Sequence, residues 1–264
     1  MSKFLFVFCA ILFVGTSVYG AEDAGTIMKM KNEVVEAAEK AHSILKQNLN
    51  EYSGKIKKLI SKLQEEAIDL RSVAYKNVAS TENQVMARID KAIQDATGTD
   101  VEECRNMAKS LKPIVSETLV DANNCVESRI KKAIDTWKDL YHQAEKSLKT
   151  LIDVKSDVEV CVKDINNWRS IPYASYCVTK VAAVGTFETA TNVPGIVLNI
   201  TDLYFQVQSF LPELQACVSS KTIENMKGTS EQVVTNVISC VKAEVKSQHS
   251  KAPQKSWMKK FIPW

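Results

Sequence analysis

The chain has 264 residues, 45% of them hydrophobic and 25% charged, and its 34 basic and 31 acidic residues give a net charge of +3. This near balance argues against a nucleic-acid-binding protein, which needs a concentrated positive surface. The length is enough for one large or two small domains with a hydrophobic core.

Residues 1–20 have the three parts of a secretion signal. Lys3 supplies the positive start, residues 4–14 are apolar, and the small residue Gly20 ends the segment. The apolar run is shorter than the roughly 20 residues that span a bilayer as a helix, so a retained anchor is the weaker alternative. We predict cleavage after Gly20, which also removes Cys9, and a secreted extracellular product.

Residues 21–98 form a predicted amphipathic helical region. They are rich in good helix formers and lack proline. Steps of three and four place one set of apolar side chains on a single stripe, as in a helix that packs on another helix: Leu45, Leu49, Tyr52, Ile56, Leu59, Leu63, Leu70 and Val73. Gly54 interrupts the pattern and indicates a kink or a hairpin between two helices, and Asp100 is a candidate cap for the next helix.

Residues 99–247 form a predicted helical domain with six cysteines. An even number of cysteines in a secreted chain favours structural disulfides. A metal site is the alternative, but the chain has no Cys-x-x-Cys and its three histidines are scattered. The predicted disulfide cysteines are Cys104, Cys125, Cys161, Cys177, Cys217 and Cys240.

The spacing of these cysteines favours pairing between neighbours in the sequence. Each interval contains a helix breaker, Pro113, Pro172 or Gly228. A turn at each breaker would form a helical hairpin and bring its two cysteines within the few ångströms that a disulfide needs. We therefore predict bonds 104–125, 161–177 and 217–240, although six cysteines allow 15 pairings.

Between Ser170 and Pro212 the charged residues are Lys180, Glu188 and Asp202, which predicts that this stretch is the buried centre of the fold. The run from 189 to 201 contains proline, glycine and asparagine and is a poor membrane span. Asn199 begins the sequon Asn-Ile-Thr and is a glycosylation candidate if it faces solvent.

Residues 248–264 read as a basic, aromatic and flexible tail. Lysines attract anionic headgroups and aromatic rings favour the membrane interface, so this tail is a candidate for weak anionic membrane or partner contact. The alternatives are docking on the helical bundle and disorder. The candidate contact residues are Trp257, Lys259, Lys260, Phe261 and Trp264.

No catalytic motif, phosphate loop or dinucleotide fingerprint is present in the sequence. The carboxylate pair Glu65–Glu66 cannot share a site on a helix, because adjacent side chains point about 100° apart. We expect a non-enzymatic protein without a cofactor.

The segment from about 100 to 245 resembles the insect secreted proteins typified by the tsetse EP protein and the haemolymph glycoproteins. The resemblance lies in the signal peptide, the helical cysteine-bearing segments, the opening pair Cys104 and Cys125, and a later Cys217 after an apolar stretch. It implies a product of an extracellular fluid, gut or gland with no assigned catalysis.

These observations predict an all-α fold in which long amphipathic N-terminal helices pack with a disulfide-stapled bundle of helical hairpins. The predicted function is that of a secreted, non-enzymatic binding or interaction component of a body fluid or gland secretion. Its partner is a protein or a hydrophobic ligand. The alternatives are a carrier of lipid or other hydrophobic ligands and a membrane-active secretion component.

Overall fold

A computed structural model describes the backbone of residues 23–218 and 220–251. The predicted signal peptide at 1–20 and the five candidate contact residues of the tail, from Trp257 to Trp264, lie outside the described residues. Within the described ranges every regular element is helical, which confirms the all-α prediction.

Six α-helices follow one another along the described chain. They are α1 (Ala24–Asp95), α2 (Glu102–Ala108), α3 (Leu111–Cys161), α4 (Ile171–Phe187), α5 (Val193–Cys217) and α6 (Ser220–Lys251). A 3₁₀ turn at Trp168–Ser170 precedes α4, and one π turn at Glu188–Asn192 joins α4 to α5.

Helix α1 is continuous through Gly54, so the hairpin interpretation of this glycine is wrong. A single glycine lowers helix stability by about 1 kcal/mol relative to alanine, which the packing of the apolar stripe on both sides offsets. Four members of the predicted stripe are buried, Leu45, Leu49, Ile56 and Leu63, whereas Val73 is 47% exposed and lies outside the buried face.

Two turns reverse the chain at the ends of α1 and α3. Gly98 adopts a left-handed φ of 84° after α1, a conformation that favours glycine. Asp100 accepts a hydrogen bond from the backbone N–H of Glu102 at 3.1 Å. However, the N-cap of α2 is Val101, which makes no side-chain capping bond, so Asp100 lies one residue before the cap position that the sequence predicted for it. After α3, the side chain of Asn167 accepts a hydrogen bond from the backbone N–H of Arg169 and holds the second turn.

The chain folds into two compact units. Among the described residues, unit 1 contains 23–64 and 129–211, and unit 2 contains 65–128, 212–218 and 220–251. Helices α1 and α3 each contribute one stretch to unit 1 and another to unit 2. The boundary at residue 98 that the sequence suggested falls within unit 2.

Unit 1 is a bundle of three helical stretches, from α1, from α3 and from α4 with α5. Gly185 of α4 marks where all three meet, because a Cβ added there would lie 3.1 Å from Val154 Cγ1 and 3.6 Å from Val34 Cγ1. The Nζ of Lys155 donates a hydrogen bond to Glu39 Oε1, which ties α3 to α1 at the surface.

Unit 2 has its own hydrophobic core, formed by α1, α2, the start of α3 and α6. Helix α2 packs against α6. The core is aliphatic and contains the sulfur of Cys104. Its buried members are Val85, Ile89, Ala96, Val101, Cys104, Ala108, Leu111, Val233, Val234, Val237 and Val241.

The six cysteines form three disulfides, but only one matches the predicted hairpin scheme. Cys161 and Cys177 are bonded, as predicted. Cys104 is bonded to Cys240 and Cys125 to Cys217, so the predicted pairs 104–125 and 217–240 are wrong.

The physical reason is that none of the three supposed breakers forms a turn, because all three lie inside helices. Pro113 is the third residue of α3, where a missing backbone N–H is tolerated. Gly228 lies within α6, which continues through it. The 161–177 interval contains a chain reversal, in the turn that ends at Ser170 just before Pro172.

Candidate interaction surface

The continuous helical stretch of α4 and α5 has a small-residue inner face. Ala174, Val178, Ala182 and Gly185 of α4 are buried at intervals of three and four residues. Small side chains let neighbouring helices approach closely, as the short distance from Gly185 to Val154 shows. The larger apolar side chains of α4 are therefore left on the opposite face.

That opposite face exposes large apolar side chains, so the prediction that the whole stretch from 170 to 212 is buried is wrong. Four aromatic side chains keep most of their area in solvent: Tyr173 at 67%, Tyr176 at 70%, Phe187 at 58% and Phe205 at 58%. Val184 and Leu198 are also exposed. We call these six residues the apolar row, and all of them belong to unit 1.

The apolar row is large for a surface feature. An aromatic side chain has about 150–250 Å² to bury, so the four rings and two aliphatic side chains together expose roughly 600 Å². The largest apolar patch on a typical monomer is about 300–600 Å² and is often functional. Its size therefore makes the row a candidate interaction surface.

Few charges interrupt this face. Between Ile171 and Leu211 the exposed charged side chains are Lys180 and Asp202, and neither forms an ion pair with another described residue. The outer face of α3 in the same unit is instead charged, with exposed side chains at Lys138, Asp139, Glu145, Lys146, Lys149, Asp153 and Asp157. The row thus differs in chemistry from its neighbouring helix.

An aromatic and cationic cluster borders the row near Phe205. The rings of Tyr204 and Phe205 lie 5.4 Å apart, and Tyr204 also packs edge-on against Tyr52 of α1 at 5.4 Å. Lys55 Nζ lies 5.1 Å from the Tyr52 ring, within range of a cation–π contact. A hydrogen bond to Glu51 raises the pKa of Lys55 above its ordinary value and keeps this cation charged.

The π turn between α4 and α5 places a carboxyl group inside unit 1. Glu188 is only 5% exposed. Its Oε2 accepts a hydrogen bond from Asn192 Nδ2 at 2.8 Å, and its Oε1 has no hydrogen-bond partner. Such turns recur at functional sites, but no ionisable group is paired with Glu188 among the described residues.

Asn199 is exposed on α5 next to Leu198, so the solvent access that the sequon requires is present. It lies about 100° around the helix from Leu198, and a glycan there would leave from the flank of the row. The hydroxyl of Thr201 donates to the backbone carbonyl of Val197 at 2.9 Å.

Among the described residues, no group of three or more His, Cys, Asp or Glu side chains could hold a metal ion. An open groove on α1 in unit 2 is lined by that helix alone, by Tyr75, Lys76, Ala79, Ser80, Asn83, Gln84 and Ala87. It gathers no titratable cluster.

The helical stretch from Trp168 to Cys217 is long and apolar enough for a membrane span, and 39% of its most apolar window is buried inside the protein. Core helices of soluble proteins share that length and composition.

Sequence reasoning missed the apolar row because the stretch is apolar on both faces. The available signal was side-chain size, since small residues recur at 174, 182 and 185 while aromatic residues recur at 173, 176 and 187.

No protein-family model matches the chain, and no curated protein matches it significantly.

Proposed function

We propose that this chain is a secreted, non-enzymatic binding protein of an extracellular fluid, and that the apolar row is its docking surface. The row is the observation that carries the proposal, because roughly 600 Å² of exposed apolar surface lowers the free energy of association when it is covered. The rings expose wide contact areas with few rotatable bonds, which limits the entropy lost on docking.

The disulfides support the extracellular part of the proposal. Three disulfides within one chain are typical of an oxidising compartment. Together with the signal-like residues 1–20 they favour secretion. Expression of the full chain in a secretory cell, followed by N-terminal sequencing of the medium, should give a product that begins at Ala21.

The docking surface is tested with an apolar fluorescent probe, 1-anilinonaphthalene-8-sulfonate, at protein concentrations below a micromolar. Phe187→Ser should weaken probe binding several-fold, because it removes a ring from the centre of the row. Val120→Ser is the matched control, since Val120 is an exposed apolar residue of α3 in unit 2. Equal probe binding by wild type and Phe187→Ser would overturn the proposed surface.

A second candidate function is carriage of lipid, and the apolar composition of the stretch from Trp168 to Cys217 favours it. Aromatic rings favour the interface between lipid and water. A carrier should retain lipid through native purification, which native mass spectrometry detects as added mass. A protein that is free of lipid and takes up none from phosphatidylcholine vesicles is not a carrier.

A further inference from the structure

We propose that the apolar row docks against the same row of a second copy of this chain, with α4 and α5 of the two copies antiparallel and crossing at Thr191. This inference rests on the proposed docking surface and names its partner. Charges, rings and small residues follow one another along the row in an order that supports this pairing.

The first observation is the placement of the two charges on this face. Lys180 lies eleven residues before Thr191, and Asp202 lies eleven residues after it. An antiparallel pair about a two-fold axis at Thr191 therefore places Lys180 of each copy opposite Asp202 of the other. Both charges are exposed and neither is paired with another described residue of its own chain, so pairing across the axis would satisfy both.

The second observation is that the side chains that would face each other across the two-fold axis at Thr191 have complementary sizes. Val184 and Leu198 stand seven residues on either side of Thr191 and would face each other. Phe187 stands four residues before Thr191 and would face Gly195, four residues after it. A Cβ added at Gly195 would meet nothing within 4 Å, so open space lies above this glycine for a ring of the second copy.

The third observation is the area that the row could bury in an interface. The row exposes roughly 600 Å² of apolar side chain on each copy, and a standard stable interface buries about 800 Å² per partner. The exposed polar side chains between the apolar ones, such as Thr191 and Asn199, would be covered as well and add to this area. Helices that cross at about 20° stay in contact over several turns on each side of the crossing point.

The charge order allows a sharp test. Lys180→Glu alone places two glutamates opposite two aspartates, and Asp202→Lys alone places two lysines opposite two lysines. Each single variant should dimerise about ten-fold more weakly than wild type or worse. An equimolar mixture of the two variants restores attraction at both contacts and should form heterodimers, and the double variant Lys180→Glu/Asp202→Lys should form homodimers.

The measurement is sedimentation velocity on the secreted full-length product over the micromolar range. Wild type, the double variant and the mixture should sediment as dimers at concentrations where each single variant is a monomer. Gly195→Leu is a second, independent variant. It should fold normally, judged by its circular dichroism, and stay monomeric because leucine fills the space that Phe187 of the second copy needs.

The pairing is overturned if the wild type is monomeric or if the single charge variants dimerise as the wild type does. It is also overturned if the equimolar mixture of the two single variants does not form dimers. The docking surface is judged separately. A monomeric wild type whose binding to phosphatidylcholine vesicles is lost in Phe187→Ser overturns the pairing and keeps the docking surface. A monomer whose vesicle and probe binding are unchanged in Phe187→Ser overturns both.

Discussion

Cys125 in the first half of α3 and Cys217 at the end of α5 are bonded, with Cα atoms 5.6 Å apart although 92 residues separate them. The Cys104–Cys240 bond joins α2 to α6 in the same unit across 136 residues. Unit 2 is therefore held by two long-range bonds, whereas unit 1 has the short-range bond from Cys161 to Cys177.

The difference in loop length predicts a difference in stability. In the chain-entropy model, a disulfide that closes a loop of 136 residues adds about 5 kcal/mol to the free energy of unfolding, and one that closes a loop of 16 residues adds about 3 kcal/mol. Cys104→Ser/Cys240→Ser should therefore lower the free energy of unfolding more than Cys161→Ser/Cys177→Ser. Guanidinium unfolding followed by circular dichroism measures both. A peptide that joins Cys104 to Cys125 in a non-reducing digest would contradict the bonding pattern itself.

Close packing at Gly185 predicts that alanine there does not increase stability. Helix propensity favours alanine over glycine by about 1 kcal/mol, but a Cβ at 185 lies 3.1 Å from Val154 Cγ1. Overpacking of this kind costs about 1–3 kcal/mol, so Gly185→Ala should leave stability unchanged or lower it by up to about 2 kcal/mol.

The matched control for Gly185→Ala is Gly54→Ala, on α1 in the same unit. A Cβ at Gly54 meets nothing within 4 Å, so the free energy of unfolding of this variant should rise by about 1 kcal/mol. Thermal unfolding compares the two. Equal stabilisation by both would mean that the helices do not approach closely at Gly185.

The hydrogen bond between Asn192 and Glu188 predicts a cost for truncating the amide. Asn192→Ala leaves Glu188 Oε2 without its donor in a buried position, and a buried group without a partner costs about 1–3 kcal/mol. Asn199→Ala is the control, because Asn199 is an exposed asparagine on the next helix. Denaturant unfolding should show a lower free energy of unfolding for Asn192→Ala and an unchanged one for Asn199→Ala.

The start of α1 should loosen in acid. Asp23 Oδ1 accepts a hydrogen bond from the backbone N–H of Thr26 at 2.8 Å, and this bond holds the pKa of Asp23 below its ordinary value of 3.8. A lowered pKa in the folded state means that the stabilisation is present above pH 3.8 and is lost as the pH falls through the folded-state pKa.

Amide hydrogen exchange at Thr26 measures this effect. The protection of Thr26 should fall as the pH drops below 3.8 in wild type. Asp23→Asn should remove the pH dependence, because asparagine caps a helix but does not titrate in this range. A wild-type protection factor that stays constant down to pH 2 would show that the Asp23 bond does not hold the first turn.

The helical fold could be predicted from the sequence because its signal is local. Steps of four and seven residues between Leu45, Leu49, Ile56 and Leu63 define one apolar stripe, and all four side chains are buried. The hydrogen bond that Asp100 accepts and the turn at Gly98 also depend on residues within a few positions of each other. Local rules of this kind need no knowledge of which helices are neighbours.

The pairing of the cysteines depended on tertiary structure. Pro113 can end one helix or begin another, and only the position of α3 shows that it begins one. Helix α2 packs against α6, which places Cys104 beside Cys240, and Cys125 of α3 finds its partner in Cys217 at the end of α5.

The apolar row was likewise decided by packing. The sequence alone determined that the described chain is helical, that its cysteines pair, and that the stretch from 170 to 212 is apolar. It could not determine which face of that stretch is covered, because both faces are apolar. The three helical stretches of unit 1 meet at Gly185, where only small side chains fit, and this close approach leaves Tyr173, Tyr176 and Phe187 in solvent.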